Sequence, residues 1–461
     1  MTTLGPRLGV LADDYTGAVD VAATLQESGV PVELHLGVPP PDRAWDRSEV
    51  VVVGLRSRSV DVATAVAWSG AAASWLVGLG TAQLFQKYSS TFDSTDAGNI
   101  GPVADALRAA LHRSVPDPQL VLFCPAVPHY GRTVYQGHLF VGDRLVSEAG
   151  THPLTPRDDP DLVRRLSQQT AEQVGLLPHQ TVAAGVAAAR AALDRLVARG
   201  VRYVVADAVD DGDLAVLGQV AQAHRLVTGA VGLASALLAG GRELPEPREG
   251  AEAPRRSGPS RPEAPPHALP GAFVAGSCTV ETLEQVRRFE ERWPVLRFRP
   301  TEVADGRDVV AEARRLAVDQ LADGPVGVAA GAPADVVRAE QEALGRARAA
   351  ELTERTLGEV AEALVELGVR RLVAAGGETA GAVVDRCGIS RAAVGATEAP
   401  GIPWLRVDGD GDPLWVLLKS GPLGDPDLLL RALDPAGTRA VGSETGTVDA
   451  ALRRRTRRPS V

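Results

Sequence analysis

The chain has 461 residues, 45% of them hydrophobic and 23% charged, with a formal net charge of −10. That length implies two or three domains with substantial cores, the composition is that of a soluble globular protein, and the acidic balance argues against nucleic acid as a partner of the whole molecule. No apolar run reaches the roughly 18–20 residues that a membrane helix needs, Asp13 and Asp14 come before any long apolar stretch, unlike a signal peptide, and three widely spaced cysteines (Cys124, Cys278, Cys387) make no disulfide framework, so the expectation is a cytoplasmic protein without membrane or nucleic-acid partners.

In chain order, residues 7–12 have strand character, and residues 16–28 repeat Ala18, Val21, Ala22 and Leu25 at helical spacing. Residues 49–55 carry consecutive valines, as expected of a strand buried on both faces. A helix over 60–78, a strand end at 84–87, a helix over 100–112 and a strand over 120–124 follow. Then come one long Ala-rich helix over 181–199, a strand over 203–207 and a helix over 213–224. Residues 243–270, rich in Pro, Glu, Arg, Ser and Gly, read as a flexible linker. Beyond it the rhythm repeats: strand 272–275, helix 279–292, strand 326–330, helix 351–367, strand 371–375 and a helix from Thr379. Alternation of this kind predicts an α/β protein of two domains, each a mainly parallel sheet flanked by helices. The expected division is a domain over 1–242, the linker, a second domain over 271–436, and a disordered basic tail over 437–461.

In such folds ligands sit at the carboxyl ends of the strands, and the polar motifs fall there. Asp13 and Asp14 follow the first strand; one of them can cap the next helix, which leaves the other for orienting a hydroxyl, acting as a base or holding Mg²⁺. Arg56 and Arg58 share one side of an extended segment, as a carboxylate clamp would. Lys87 and Lys419 are the only lysines among 48 basic residues. Lysine is a compact point charge where arginine is a wide fork, so both mark positions where arginine does not fit. Lys87 opens a hydroxyl-rich stretch through Ser90, Thr91 and Asp93 to the glycine-bearing helix start at Gly98-Asn99-Ile100-Gly101, a setting suited to oxyanions or polyols. Gly376-Gly377-Glu378-Thr379, Gly276-Ser277-Cys278-Thr279 and Lys419-Ser420-Gly421 form three small-residue loops on one rim. Paired glycines at a helix start let backbone approach phosphate. This is neither a Walker A loop nor GxGxxG, which argues against a nicotinamide-dependent dehydrogenase, and no paired metal-ligand spacing occurs.

These motifs, in this order, resemble the four-carbon acid sugar kinase family, and within it the 3-oxo-tetronate kinase group. The resemblance is carried by Gly9 through Ala18, Lys87-Tyr88-Ser89-Ser90-Thr91-Phe92-Asp93-Ser94-Thr95, residues 98–103, Gly131 through Gly137, His152-Pro153-Leu154-Thr155-Pro156, residues 226–229 and the three C-terminal loops. It implies an ATP- and Mg²⁺-dependent kinase that phosphorylates the 4-hydroxyl of a four-carbon sugar acid, most closely a 3-oxo-tetronate, with D-threonate or D-erythronate kinase, or a non-catalytic sugar-acid sensor, as alternatives. The implied acid site contains Asp13, Asp14, Arg58, Lys87, Ser90 and Asp93, with Asp14 or Asp93 as the carboxylate that orients or deprotonates the acceptor. The implied ATP site contains Ser277, Gly376, Gly377, Glu378, Thr379 and Gly421. A homodimer is compatible with this picture. The chain departs from the family pattern with Pro422-Leu423 after Gly421, where Asn-Phe is usual, with Ala230-Val231 after Gly229, and with Tyr15 for a usual Phe.

Overall fold

The computed structural model describes residues 5–112, 120–149, 158–240, 263–409 and 411–435. The tail over 437–461, residues 243–262 of the expected linker and the motif His152 to Pro156 lie outside the described residues.

Four valines in the strand Val50–Gly54 are fully buried, as a strand covered by helices on both faces requires. Around it the N-terminal half builds an all-parallel sheet in the order Val32–Leu36, Val50–Gly54, Leu8–Ala12, Gln83–Lys87, Leu226–Gly229, Val121–Cys124, Tyr203–Ala206, Val174–Leu177. The strand Leu8–Ala12 runs between Val50–Gly54 and Gln83–Lys87, with Ala12 level with both Gly54 and Lys87. The order of strands reverses here, so the loops leaving these ends splay apart and open a crevice.

The C-terminal half repeats the design with parallel strands Val295–Arg297, Val326–Ala329, Gly271–Ala275, Arg371–Ala375 and Leu414–Lys419. Its reversal lies at Gly271–Ala275. Ile402–Val407 and Arg391–Ala399 then run antiparallel. Arg391 and Ala392 pair with His35 and Leu34 of the N-terminal half, so the two sheets join into one of 15 strands. The junction strand Val32–Leu36 buries Glu33 and His35, which bond to each other at 2.9 Å while Arg391 reaches Glu33 at 3.1 Å.

Three expectations are corrected by the structure. The single helix over 181–199 is two, His179–Ala183 and Val186–Ala198, because Gly185 takes φ +93 between them, outside the right-handed helical region. The last eight residues of the expected linker are mostly exposed but are anchored to the C-terminal half at a few points. Pro265 is buried, the Glu263 carbonyl accepts from Ala396 N at 2.7 Å, the Pro270 carbonyl accepts from Arg370 N and Arg371 N, and Leu269 lies against the C-terminal core. The halves are also less independent than a flexible tether would leave them, since they share a sheet.

Candidate active site

The rim expected to hold the acid, called the acid rim below, is assembled from three strand ends of the N-terminal crevice. Asp14 caps the helix Tyr15–Glu27, its Oδ1 accepting from Gly17 N at 3.1 Å. The same carboxylate accepts from Thr16 Oγ1 at 2.6 Å and from Arg58 Nη2 at 2.7 Å. Lys87 Nζ lies 3.9 Å from it. Arg58 also grips Asp13 in a bidentate pair of 2.8 and 2.6 Å. Burial alone would raise Asp14, but Arg58, Lys87 and the bonds from Thr16 and Gly17 bring it down to about 2. Burial pushes Asp13 up, and the Arg58 guanidinium opposes that without cancelling it. Lys87 is almost sealed, at 6% exposure, yet it borders the rim because residue 17 is glycine. A Cβ there would overlap Lys87 Nζ and Asp14 Oδ1.

The turn after Lys87 closes through the Phe92 N bond to the Ser89 carbonyl at 2.9 Å, with Phe92 held at φ +48, a strained setting for a non-glycine residue. The Phe92 ring meets Tyr88 edge-on with centroids 5.3 Å apart. Thr91 Oγ1 donates to Asp93 Oδ1 at 3.0 Å, both residues being buried, and Ser90 is half-buried in the same turn. Asp93 lies close enough to contribute to the field at Arg58.

The rim expected to hold the nucleotide, called the nucleotide rim below, brings its three loops together. Gly376, at φ +122, precedes the helix Gly377–Arg386 and donates its N–H to the Lys419 carbonyl at 2.9 Å. A Cβ at Gly421 would overlap Ser277 Oγ, and one at Gly376 would stand 3.2 Å from Ser277 N. Thr379 is buried against this corner. Lys419 is not a rim cation. It is fully buried and donates to Thr282 Oγ1 and the Gly421 carbonyl, both at 3.0 Å, and burial brings it down to about 8. It braces the loop from beneath.

Arg56, grouped with Arg58 by spacing, is placed apart from it. Its guanidinium spans to Glu354, Glu378 and Asp385 of the other half at 3.0, 3.1 and 2.9 Å. The two-residue period needs an extended strand, and that strand ends at Gly54. Glu378 also accepts from Ser59 Oγ at 3.1 Å, so it serves the seam. Asp385 accepts from Tyr15 OH at 3.1 Å. The two rims meet where Ser420 Oγ donates to Thr16 Oγ1 at 3.0 Å.

The motif reading passed over Asp20, His129 and Tyr130. Asp20 lies on the helix Tyr15–Glu27 one turn past Thr16, and His129 and Tyr130 sit in the loop after Val121–Cys124. A lone acid on a helix whose other early residues are apolar and buried was the one signal available for Asp20.

Two α/β rims meet here, one rich in carboxylate, hydroxyl and ammonium groups and the other in glycine at a helix start, and the relatives of the chain are transferases of the kinase class. Residues 8–237 match the family described as sugar-binding N-terminal domain, and residues 272–429 match the nucleotide-binding C-terminal domain. The chain is 45% identical to a 3-oxo-tetronate kinase of Methylobacterium radiotolerans, over 93% of this chain and 98% of that one. It is 37% identical to a 3-oxo-tetronate kinase of Salmonella typhimurium, over 92% and 98%. A Salmonella typhimurium crystal structure described as a putative tRNA synthase superposes with a TM-score of 0.76 at 35% identity, over 92% of this chain and 98% of that one. A Haemophilus influenzae protein superposes with a TM-score of 0.69 at 34% identity, with the same coverage. The chain belongs to the four-carbon acid sugar kinase family. No helix among the described residues is long and apolar enough to cross a membrane.

Proposed function

We propose that the protein is an ATP-dependent kinase that transfers a phosphoryl group to the 4-hydroxyl of 3-oxo-tetronate in the cytoplasm. The observation that carries this reading is the Thr16–Ser420 contact. It sets a rim suited to a polyhydroxy acid directly against a rim suited to phosphates, and phosphoryl transfer needs chiefly such positioning together with charge neutralisation. Lys87 and Arg58 supply positive charge on the acid side. The backbone N–H groups at the start of Gly377–Arg386 supply partial positive charge on the other. Ser277, Gly376, Gly377, Thr379 and Gly421 would border the nucleotide, while Lys419 and Glu378 hold the loops that do so. Asp13, Asp14, Ser90, Thr91 and Asp93 would frame the acid. Mg²⁺ would enter on the phosphates as part of the nucleotide substrate. Among the described residues no group of three or more His, Cys, Asp or Glu is arranged to hold a metal, and Mg²⁺ commonly relies on phosphates and water with one or two carboxylates. The choice of 3-oxo-tetronate follows the names of the relatives.

The test is ADP release with ATP and Mg²⁺ across 3-oxo-tetronate, D-threonate and D-erythronate. The expected result is the highest kcat/KM for 3-oxo-tetronate. A higher value for either of the others would reassign the substrate, and binding without turnover would make the protein a sensor.

A further inference from the structure

The carboxylates of the acid rim are largely committed. Asp14 accepts from Gly17, Thr16 and Arg58, Asp13 accepts twice from Arg58, and Asp93 accepts from Thr91. Asp20 differs. Its Oδ1 is sealed from solvent without a hydrogen-bond partner, the one carboxylate oxygen of which this holds among the described residues. Such an orphaned acceptor is costly and calls for an explanation. It lies on the seam, four residues past Thr16 and therefore on the same face of the helix. The hairpin turn at Gly401 covers it from the other half; a Cβ there would stand 2.7 Å from Asp20 Oδ1 and 3.5 Å from Tyr130 OH. The charged and titratable groups facing Asp20 are Lys87 and Asp14 from the rim, His129 and Tyr130 from the loop after Val121–Cys124, and Glu27 of its own helix.

We propose that substrate binding draws the Gly401 turn off Asp20 Oδ1, which then accepts the hydrogen of the substrate hydroxyl that receives the phosphoryl group and removes it as the new bond forms. This rests on the kinase reading above. The acceptor oxygen forms the bond to the γ-phosphorus, the bond from that phosphorus to the bridging oxygen breaks, and its electron pair leaves with ADP. The proton passes to Asp20 and thence to solvent on product release. Burial raises Asp20 to about 6, Lys87 opposing and Asp14 adding, which suits a base working near neutrality; Asp14, held at about 2, is a far weaker base.

The experiment compares wild type with Asp20→Asn, which keeps the shape. We expect kcat to fall at least about 100-fold, with the calorimetric Kd for the tetronate within about threefold and the melting temperature unchanged or raised. The wild-type kcat should decline below about pH 6, and the residual activity of the variant should lack that limb. A variant turning over within threefold of wild type overturns the proposal and leaves the kinase reading intact. So does a lowered melting temperature with a proportionate loss of activity, or lost acid binding with kcat unchanged. Wild type silent with every tetronate, even when calorimetry shows binding, overturns the kinase reading and this proposal with it.

Discussion

Lys87 reaches Asp14 only because residue 17 lacks a side chain. Gly17→Ala therefore tests the ion site, although its Cβ would crowd both Lys87 and the Asp14 cap of the helix. We expect kcat/KM to fall at least about tenfold, equivalent to roughly 1.4 kcal/mol, together with a loss of stability of about 1–2 kcal/mol from the disturbed cap and the crowding. Lys87→Arg should lose at least as much, because a guanidinium has no room beside Gly17; wild-type kinetics in either variant would make the ammonium incidental. The carboxylates Asp14 and Asp20 also predict opposite pH effects on stability. Asp14 is depressed to about 2, so the stability it contributes is complete above its unfolded value near 4 and is lost as pH falls towards 2. Asp20 is raised to about 6, so its charged form opposes folding at neutral pH and that penalty fades as pH falls from 6 to 4. Asp20→Asn should accordingly raise stability by about 1–2 kcal/mol at pH 7 and by almost nothing at pH 4, as read from urea midpoints. Lys87, Asp13 and Asp14 stand out in the sequence because lysine is rare in it and acids are out of place at the end of an apolar strand. Asp20 does not, because its role comes from burial against a turn nearly 400 residues away.

At the scale of loops and helices, Gly376 and Gly377 look alike in sequence and differ in the fold. Gly376 takes φ +122 with Ser277 N close to where a Cβ would go, whereas a Cβ at Gly377 meets nothing within 4 Å. Gly376→Val should destabilise the protein by about 2–3 kcal/mol through strain and crowding. Gly377→Val should fold normally, raise the KM for ATP and lower kcat, and leave calorimetric binding of the acid intact. Equal loss of both ligands in Gly377→Val would make the loop a structural turn; loss of the acid alone would reverse the roles of the two halves. Elements with a clear apolar pattern were legible, among them the unbroken valines of Val50–Gly54 and the helical repeat of Ile100–His112. The seam strands were not. Val32–Leu36 alternates apolar with polar residues, the pattern of a strand with one wet face, yet buries Glu33 and His35 by pairing them with each other. Arg391–Ala399 is short of branched and aromatic residues and is placed by its neighbours on both sides.

For the molecule as a whole, the question is whether two domains of separate function unfold separately. A linker-joined pair would show two transitions, as chains of this length often do. Here the sheet passes from one half to the other at Arg391 and Ala392, and one contiguous core contains Leu34 and Val52 together with Val394, Leu405 and Leu418. Arg56 adds a bridge to three carboxylates across the seam. Opening either half alone would expose that shared core, so the halves should melt together. Differential scanning calorimetry should give one endotherm whose calorimetric and van't Hoff enthalpies agree. Arg56→Ala leaves Glu354, Glu378 and Asp385 facing each other without their common cation; burial and the nearby Glu378 already raise Glu354. These groups are partly exposed, so the expected cost is modest, about 1–2 kcal/mol, and it should shrink in 0.5 M salt as repulsion among the carboxylates is screened. Because the same arginine holds Glu378 on the first turn of the nucleotide-rim helix, Arg56→Ala should also raise the KM for ATP more than that for the acid. Two resolved endotherms in wild type would sink the idea of a shared core. A variant with both KM values unchanged would confine Arg56 to stability.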